Sequence, residues 1–173
     1  MTPDDFRLNM ETGNYWITRC IAQGAFPNSM QGIELRKSGV TDIFNVGTAA
    51  SILSAQTHGF QQVVDLPVED LRRLPDAYVL DCLDRFHAAL SQPGRKIYIH
   101  CVAGQNRSPA MLWLYLVACG TEPGEAKALI EDRTLDAVAG HPKLVDDALV
   151  QTVQAHGKSR FLPLPRPDVL VPA

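Results

Sequence analysis

A cysteine and an arginine bracket five small or polar residues in the run His100-Cys101-Val102-Ala103-Gly104-Gln105-Asn106-Arg107-Ser108. The run follows a β-type apolar stretch, Lys96-Ile97-Tyr98-Ile99, and leads into a helix-type stretch from Ala110 to Val117. A strand-to-helix turn of this kind suits a tetrahedral oxyanion attacked by sulfur. The first N–H groups of a helix lack partners and carry partial positive charge, so an anion docks there readily. Successive N–H groups of the curled residues Val102, Ala103, Gly104, Gln105 and Asn106 would form an anion-binding nest. Gly104 permits a positive φ and close backbone approach. Arg107 offers phosphate oxygens a two-pronged guanidinium. The same positive surroundings favour thiolate over thiol at Cys101. Ser108 brings a hydroxyl beside the sulfur, where it could stabilise a departing thiolate. His100, at the strand end, reads as a residue that orders the loop by hydrogen bonding. The plainer alternative is a buried structural cysteine near a surface arginine. The grouping of Cys, Gly, Arg and Ser at one junction argues against it.

At these residues the chain resembles the cysteine-dependent protein tyrosine phosphatases, whose signature is His-Cys, five residues, Arg, then Ser or Thr. Its length and spacing are most similar to the dual-specificity branch. The close match covers His100 to Ser108, and a weaker family-like pattern covers most of residues 14 to 156. The resemblance implies transfer of a phosphoryl group through a phosphocysteine, which splits one hard displacement into two easier ones. Phosphate, sulfate or vanadate would sit in the loop, and the substrate would be a phosphorylated protein or peptide. No cofactor and no metal are implied, because loop amides and arginine supply the positive charge.

The leaving oxygen needs a proton, and a carboxyl group commonly supplies it. Asp65-Leu66-Pro67-Val68-Glu69-Asp70-Leu71 offers three carboxylates on a loop between a strand and a long helix. Asp70 lies 31 residues before Cys101, Glu69 32 and Asp65 36. The resemblance favours Asp70 as the acid, with Asp65 as the alternative and a helix-capping or solvated role open for each. Asn45 resembles a family asparagine that braces the active loop, but it could equally be a strand-end turn former. Arg133 reads as a solvated helix-end residue that could face substrate, and His141-Pro142 as the start of the final helix. His58, His87 and His156 have no motif context.

The elements around the motif alternate as α/β, with a central, mostly parallel sheet flanked by helices in one domain. Strands are expected at Tyr15 to Ile21, Val40 to Val46 and Gln61 to Leu66, before the strand that delivers Cys101. Helices are expected at Gln31 to Ser38, Pro75 to Ser91, Glu122 to Asp132 and Pro142 to His156, with a short helix or turn at Ser51 to Thr57. In the long helix Val79, Leu83, Phe86 and Leu90 share one face. Residues 1–13 read as an N-terminal extension and 14–157 as the phosphatase domain. Residues 158–173 read as a proline-rich, extended tail, with Pro163, Pro165, Pro167 and Pro172 denying a regular element.

The 173 residues are 46% hydrophobic, enough for one sizeable core, and carry a net charge of −3. That charge argues against general binding to nucleic acid or an anionic membrane. Cys20, Cys82, Cys101 and Cys119 are scattered, with no Cys-x-x-Cys pair to suggest zinc or a disulfide framework. No secretory leader or membrane span is legible, so a reducing cytoplasm is the expected setting.

Rival readings remain for the substrate. The absence of lysine from the loop disfavours multiply charged phosphoinositides, and some RNA 5′-triphosphatases share a loop like Gly104-Gln105-Asn106-Arg107. A phosphate-binding module without turnover is the non-enzyme alternative. Nucleotide-binding P-loops are disfavoured because no Gly-x-x-x-x-Gly-Lys-Ser/Thr is present. Low-molecular-weight tyrosine phosphatases are disfavoured by the late position of the motif, and rhodanese-type sulfurtransferases by its Gly and Arg spacing.

Overall fold

Four short parallel strands place the motif at the centre of a sheet. The computed structural model describes residues 15–173; the expected N-terminal extension lies outside them. Strand β1 spans Ile21–Gly24, β2 Asp42–Asn45, β3 Gln62–Asp65 and β4 Ile97–His100. Their order is β1-β4-β2-β3, with Gly24 and Asn45 both level with His100. Strand β4 is therefore internal and covered on both faces, which accounts for its unbroken apolar run. Ile97 and Ile99 join the larger core, while Tyr98 packs with Leu35, Val40 and Ile43 on the other face.

Helices α1 (Ser29–Lys37) and α2 (Ala55–His58) supply the smaller layer. Helices α3 (Asp76–Leu90), α4 (Arg107–Ala118), α5 (Pro123–Glu131) and α6 (Asp147–Arg160) supply the larger one. Along α3, Val79, Cys82, Leu83, Phe86, Ala89 and Leu90 are buried, and each large side chain among them contributes about 1.5–3 kcal/mol. Every residue of α4 is buried, as expected for a helix that is apolar on all sides. Helix α6 crosses it closely, because a Cβ at Gly157 would fall 1.7 Å from Ala118 O.

Two expectations change. The first strand begins at Ile21, not Tyr15, because Thr18 Oγ1 accepts the N–H groups of Cys20 and Ile21 and turns the chain there. Residues 15–18 fold back beside β1 instead, with an antiparallel bridge from Trp16 to Ala22. The last helix begins at Asp147, where Asp146 accepts from Leu149 N, because residues 141–145 close a separate turn on the carbonyl of His141. It runs on to Arg160, through residue 157. The proline-rich end forms no helix or strand after Arg160 and packs on the domain: Phe161 and Val169 are buried, and Arg19 N–H donates to Val171 O. Arg166 clamps it by donating to the carbonyls of Leu90, Gln92 and Arg95. Prolines bar ladder hydrogen bonds but not packing.

Candidate active site

The loop between β4 and α4 curls around the Cys101 sulfur. Gly104 N–H donates to Sγ at 3.3 Å, and Ser108 Oγ lies 3.3 Å from the same atom. Gly104 has φ +73°, and a Cβ there would stand 2.6 Å from the carbonyl carbon of Gly24. Both the turn and the approach to β1 therefore require glycine. The rest of the curl is fastened from outside, with Phe26 N–H donating to Val102 O and Val138 N–H to Gln105 O. Gly47 lies against the Cys101 backbone. Val102 is exposed and Ala103, Gln105 and Asn106 are half-buried, whereas Cys101 is 2% exposed. The sulfur is thus enclosed by its own loop and the start of α4. The other three cysteines are free and buried. Burial pushes the thiol of Cys20 up to about 11, and those of Cys82 and Cys119 up to about 12.

Arg107 opens α4 and is buried. One terminal nitrogen donates to Val68 O at 3.3 Å, while Nε has no hydrogen-bond partner among the described residues. A buried guanidinium N–H left unsatisfied costs about 1–3 kcal/mol. Asp70 Oδ1 lies 4.0 Å from that Nε and accepts weakly from Asn106 Nδ2 at 3.5 Å. Leu71 N–H also donates to Asp70 Oδ1 at 2.9 Å, which helps hold Leu71 at its left-handed φ of +54°. A cavity of about 450 Å³ opens beside this loop, lined by Pro67, Val68, Leu74, Pro75 and Tyr78 together with Glu69, Arg72 and Arg73.

Asp65 is engaged elsewhere. It accepts from Ser51 Oγ at 2.5 Å and Asn45 Nδ2 at 2.9 Å. Burial pushes its carboxyl up, but the bonds from Ser51 and Asn45 outweigh this and hold it below the ordinary carboxylate value. A carboxylate bound in that way is a poor proton donor. Asn45 also donates to Ala49 O and accepts from Gly47 N–H, so it braces the loop after β2 that backs Cys101. Glu69 pairs with Arg72 on the surface.

His100 donates Nδ1–H to Cys101 O at 3.0 Å and stacks on Tyr98. Burial pushes its pKa down to about 4, so the ring is neutral near pH 7 and acts by ordering the loop. The remaining histidines are structural: His58 accepts from Ser54 N–H, His141 from Lys143 N–H, and His156 meets Asp84. His87 Nδ1 bonds the Tyr115 hydroxyl. Arg133 donates to the carbonyl of Ala173.

The sequence reading missed Gln23, which reaches Ser108 Oγ at 2.9 Å, and the Val68 carbonyl that holds Arg107. A lone polar side chain inside the short run Ile21-Ala22-Gln23-Gly24 is the one trace that the first leaves in residue types. The second is a main-chain contact and leaves no trace in residue types.

A buried cysteine whose loop curls back on its sulfur, beside a buried arginine at a helix start, is the arrangement expected of a cysteine-dependent phosphatase. The chain belongs to the family described as PTP-SAK, Swiss Army Knife protein, DSP-PTPase phosphatase domain, whose model matches residues 16–156. Protein tyrosine phosphatase type IVA 2 of Mus musculus is 31% identical over 101 residues, covering 58% of this chain and 60% of that protein. Dual specificity protein phosphatase 26 of Homo sapiens is 30% identical over 97 residues, covering 49% of this chain and 41% of its own. The chain thus spans less than two thirds of the length of these relatives. Among solved structures, PTPMT1 superposes with a TM-score of 0.65 at 19% identity, over 84% of this chain and 94% of that one. Human DUSP28 gives 0.62 at 18%, over 83% and 91%. These two likenesses are of fold.

Proposed function

We propose that this protein is a cysteine-dependent phosphomonoester hydrolase that acts on phosphorylated proteins or peptides. The observation that carries the reading is the buried Arg107 Nε, without a hydrogen-bond partner among the described residues, on the residue that opens the helix whose loop encloses Cys101 Sγ. A phosphoryl oxygen supplies the acceptor that this donor lacks. The Cys101 thiolate attacks phosphorus in line with the ester oxygen, while the amides of residues 102–106 and Arg107 hold the equatorial oxygens. As the sulfur–phosphorus bond forms, the phosphorus–oxygen bond breaks, and the leaving oxygen takes the Asp70 proton. Water then attacks phosphorus and gives a proton to the Asp70 carboxylate. The sulfur–phosphorus bond breaks to release phosphate, and the thiolate returns beside the Ser108 hydroxyl. The site works as a thiolate, so a reducing compartment such as the cytoplasm suits it. Among the described residues no helix is long and apolar enough to cross a membrane.

A phosphoinositide reading has one observation behind it: PTPMT1 has been solved in complex with PI(5)P. The loop of this chain holds no lysine, which favours singly charged esters. Purified protein tested against phosphopeptides, phosphoinositides and triphosphate-ended RNA separates the three. Turnover is expected on phosphopeptides and to be lost in Cys101→Ser, which retains vanadate binding measured by calorimetry. Wild-type turnover in Cys101→Ser would refute the covalent route. Vanadate binding by the native protein without hydrolysis of any ester would leave a binding module.

A further inference from the structure

Gln23 is fully buried in β1, yet its Nε2 has no hydrogen-bond partner among the described residues. Its Oε1 stands 2.9 Å from Ser108 Oγ, which also lies 3.4 Å from Gly24 O and 3.3 Å from Cys101 Sγ. A serine hydroxyl has one proton. Gln23 Oε1, Gly24 O and a Cys101 thiolate are all acceptors, and with the carboxamide so turned the shortest contact draws the proton away from sulfur. A half-turn of the carboxamide gives one N–H a partner and releases that proton. Nε2–H then donates to a lone pair of Ser108 Oγ, and the hydroxyl proton is free for the sulfur. The two ends of the amide are nearly equal in size, so the turn preserves the packing. It leaves a buried carbonyl oxygen without a partner in place of a buried N–H, which proteins tolerate better.

We propose that Gln23 is a positioning residue whose side-chain N–H donates to Ser108 Oγ and thereby commits the Ser108 proton to the Cys101 thiolate. The inference rests on Cys101 being the nucleophile. It adds a third member to the Cys101–Ser108 pair, reaching in from a neighbouring strand. The titratable groups around the sulfur are Arg107 on α4, Asp70 on the loop after β3, and Tyr98 and His100 on β4. Strand β1 and the Gly47 turn bring none. A change at Gln23 therefore alters no charge near Cys101.

The test reads the thiol directly, so that a failed phosphatase assay and a failed role for Gln23 remain distinguishable. The rate of Cys101 alkylation by iodoacetamide against pH is compared for native protein, Gln23→Met, Ser108→Ala and the double variant. Gln23→Met keeps the volume and removes the donor. Its alkylation midpoint is expected to move up by about one pH unit, the scale of one charge-assisted hydrogen bond. In the Ser108→Ala background the same change is expected to move nothing further. An unmoved midpoint in Gln23→Met, or an equal shift without Ser108, overturns the proposal. If Gln23→Met does not fold, the ¹⁵N resonance of the Gln23 amide in the native chain decides. It is expected to follow the Cys101 titration, and to stop doing so in Ser108→Ala. A resonance that ignores that titration in the native chain refutes the role.

Discussion

Asp70 Oδ1 and Arg107 Nε stand 4.0 Å apart, so the carboxyl that would give the proton faces the cation that would hold the phosphoryl group. The Arg107 side chain also donates to the Val68 carbonyl, two residues before Asp70. One guanidinium therefore joins the loop around Cys101 to the loop that carries Asp70.

Arg107→Lys keeps the charge but loses the planar fork. An ammonium group cannot hold the Val68 carbonyl and two phosphoryl oxygens in the same geometry. The expected outcome is a fall in kcat/KM of about 10²-fold or more, the scale of one preorganised anion contact. Vanadate affinity should fall with it. A lysine variant of near-native rate would show that a point charge suffices.

Gly104→Ala should be severe, because the added Cβ meets only main chain. It would lie 2.6 Å from Gly24 C and 2.9 Å from Ala25 N, at a φ that disfavours any side chain. A stability loss of order 1–3 kcal/mol is expected from the strain, with loss of vanadate binding as the loop opens. Gly94→Ala is the control. It shares the positive φ but meets nothing within 4 Å, so urea unfolding should show a small loss and turnover should be unchanged. Equal effects at the two positions would remove the close-approach argument.

Much of this site is legible in residue types because it is built from one continuous stretch. An apolar β run, a glycine and an apolar helical run leave little choice about where Cys101 and Arg107 sit. The partners of that stretch come from distant segments and are harder to read. Gln23 lies on an edge strand, where a lone polar residue reads as solvent-facing; the crossing of α4 buries it. Tyr15 to Ile21 is rich in β-forming residues, and the chain turns there on the Thr18 hydroxyl and on main-chain bonds to the Ile21 carbonyl. The prolines after residue 162 forbid a regular element, but they say nothing of Arg166, whose donors satisfy three carbonyls at the end of α3 and before β4. The resemblance favours Asp70 over Asp65 as the acid, and what residue types could not show is that Asp65 is engaged by Ser51 and Asn45 while Asp70 stands beside Arg107.

His100 makes stability depend on pH. Its folded pKa, pushed down to about 4 by burial, lies below the ordinary 6.5, so the unfolded chain binds the proton more readily. The contribution is fully present above pH 6.5 and is lost as pH falls from there through about 4. Its full size is on the order of 3 kcal/mol. The Asp65 carboxyl, held below its ordinary 3.8, loses its share only at lower pH. Urea unfolding at several pH values between 7.5 and 4.5 should show the decline, and His100→Gln should flatten it. An unchanged slope in that variant would assign the decline to another group.

Asp70→Asn tests the acid against its neighbour. A general acid matters most when the leaving oxygen is a poor leaving group, since that oxygen then carries most charge in the transition state. Hydrolysis of phenyl or alkyl phosphates by Asp70→Asn should therefore fall by about 10²–10⁴-fold, far more than hydrolysis of an activated nitrophenyl ester. The basic limb of the pH–rate profile, which reports loss of the acid's proton, should disappear with it. Asp65→Asn should show neither signature. Its expected effect is on stability, because it removes the charge that strengthens the bonds from Ser51 and Asn45 and the Oδ2 acceptor of Ser51 N–H, which together hold the turn behind Cys101. If Asp65→Asn loses the basic limb and Asp70→Asn retains it, the acid is Asp65, and the 4.0 Å approach of Asp70 to Arg107 serves only to steady the guanidinium.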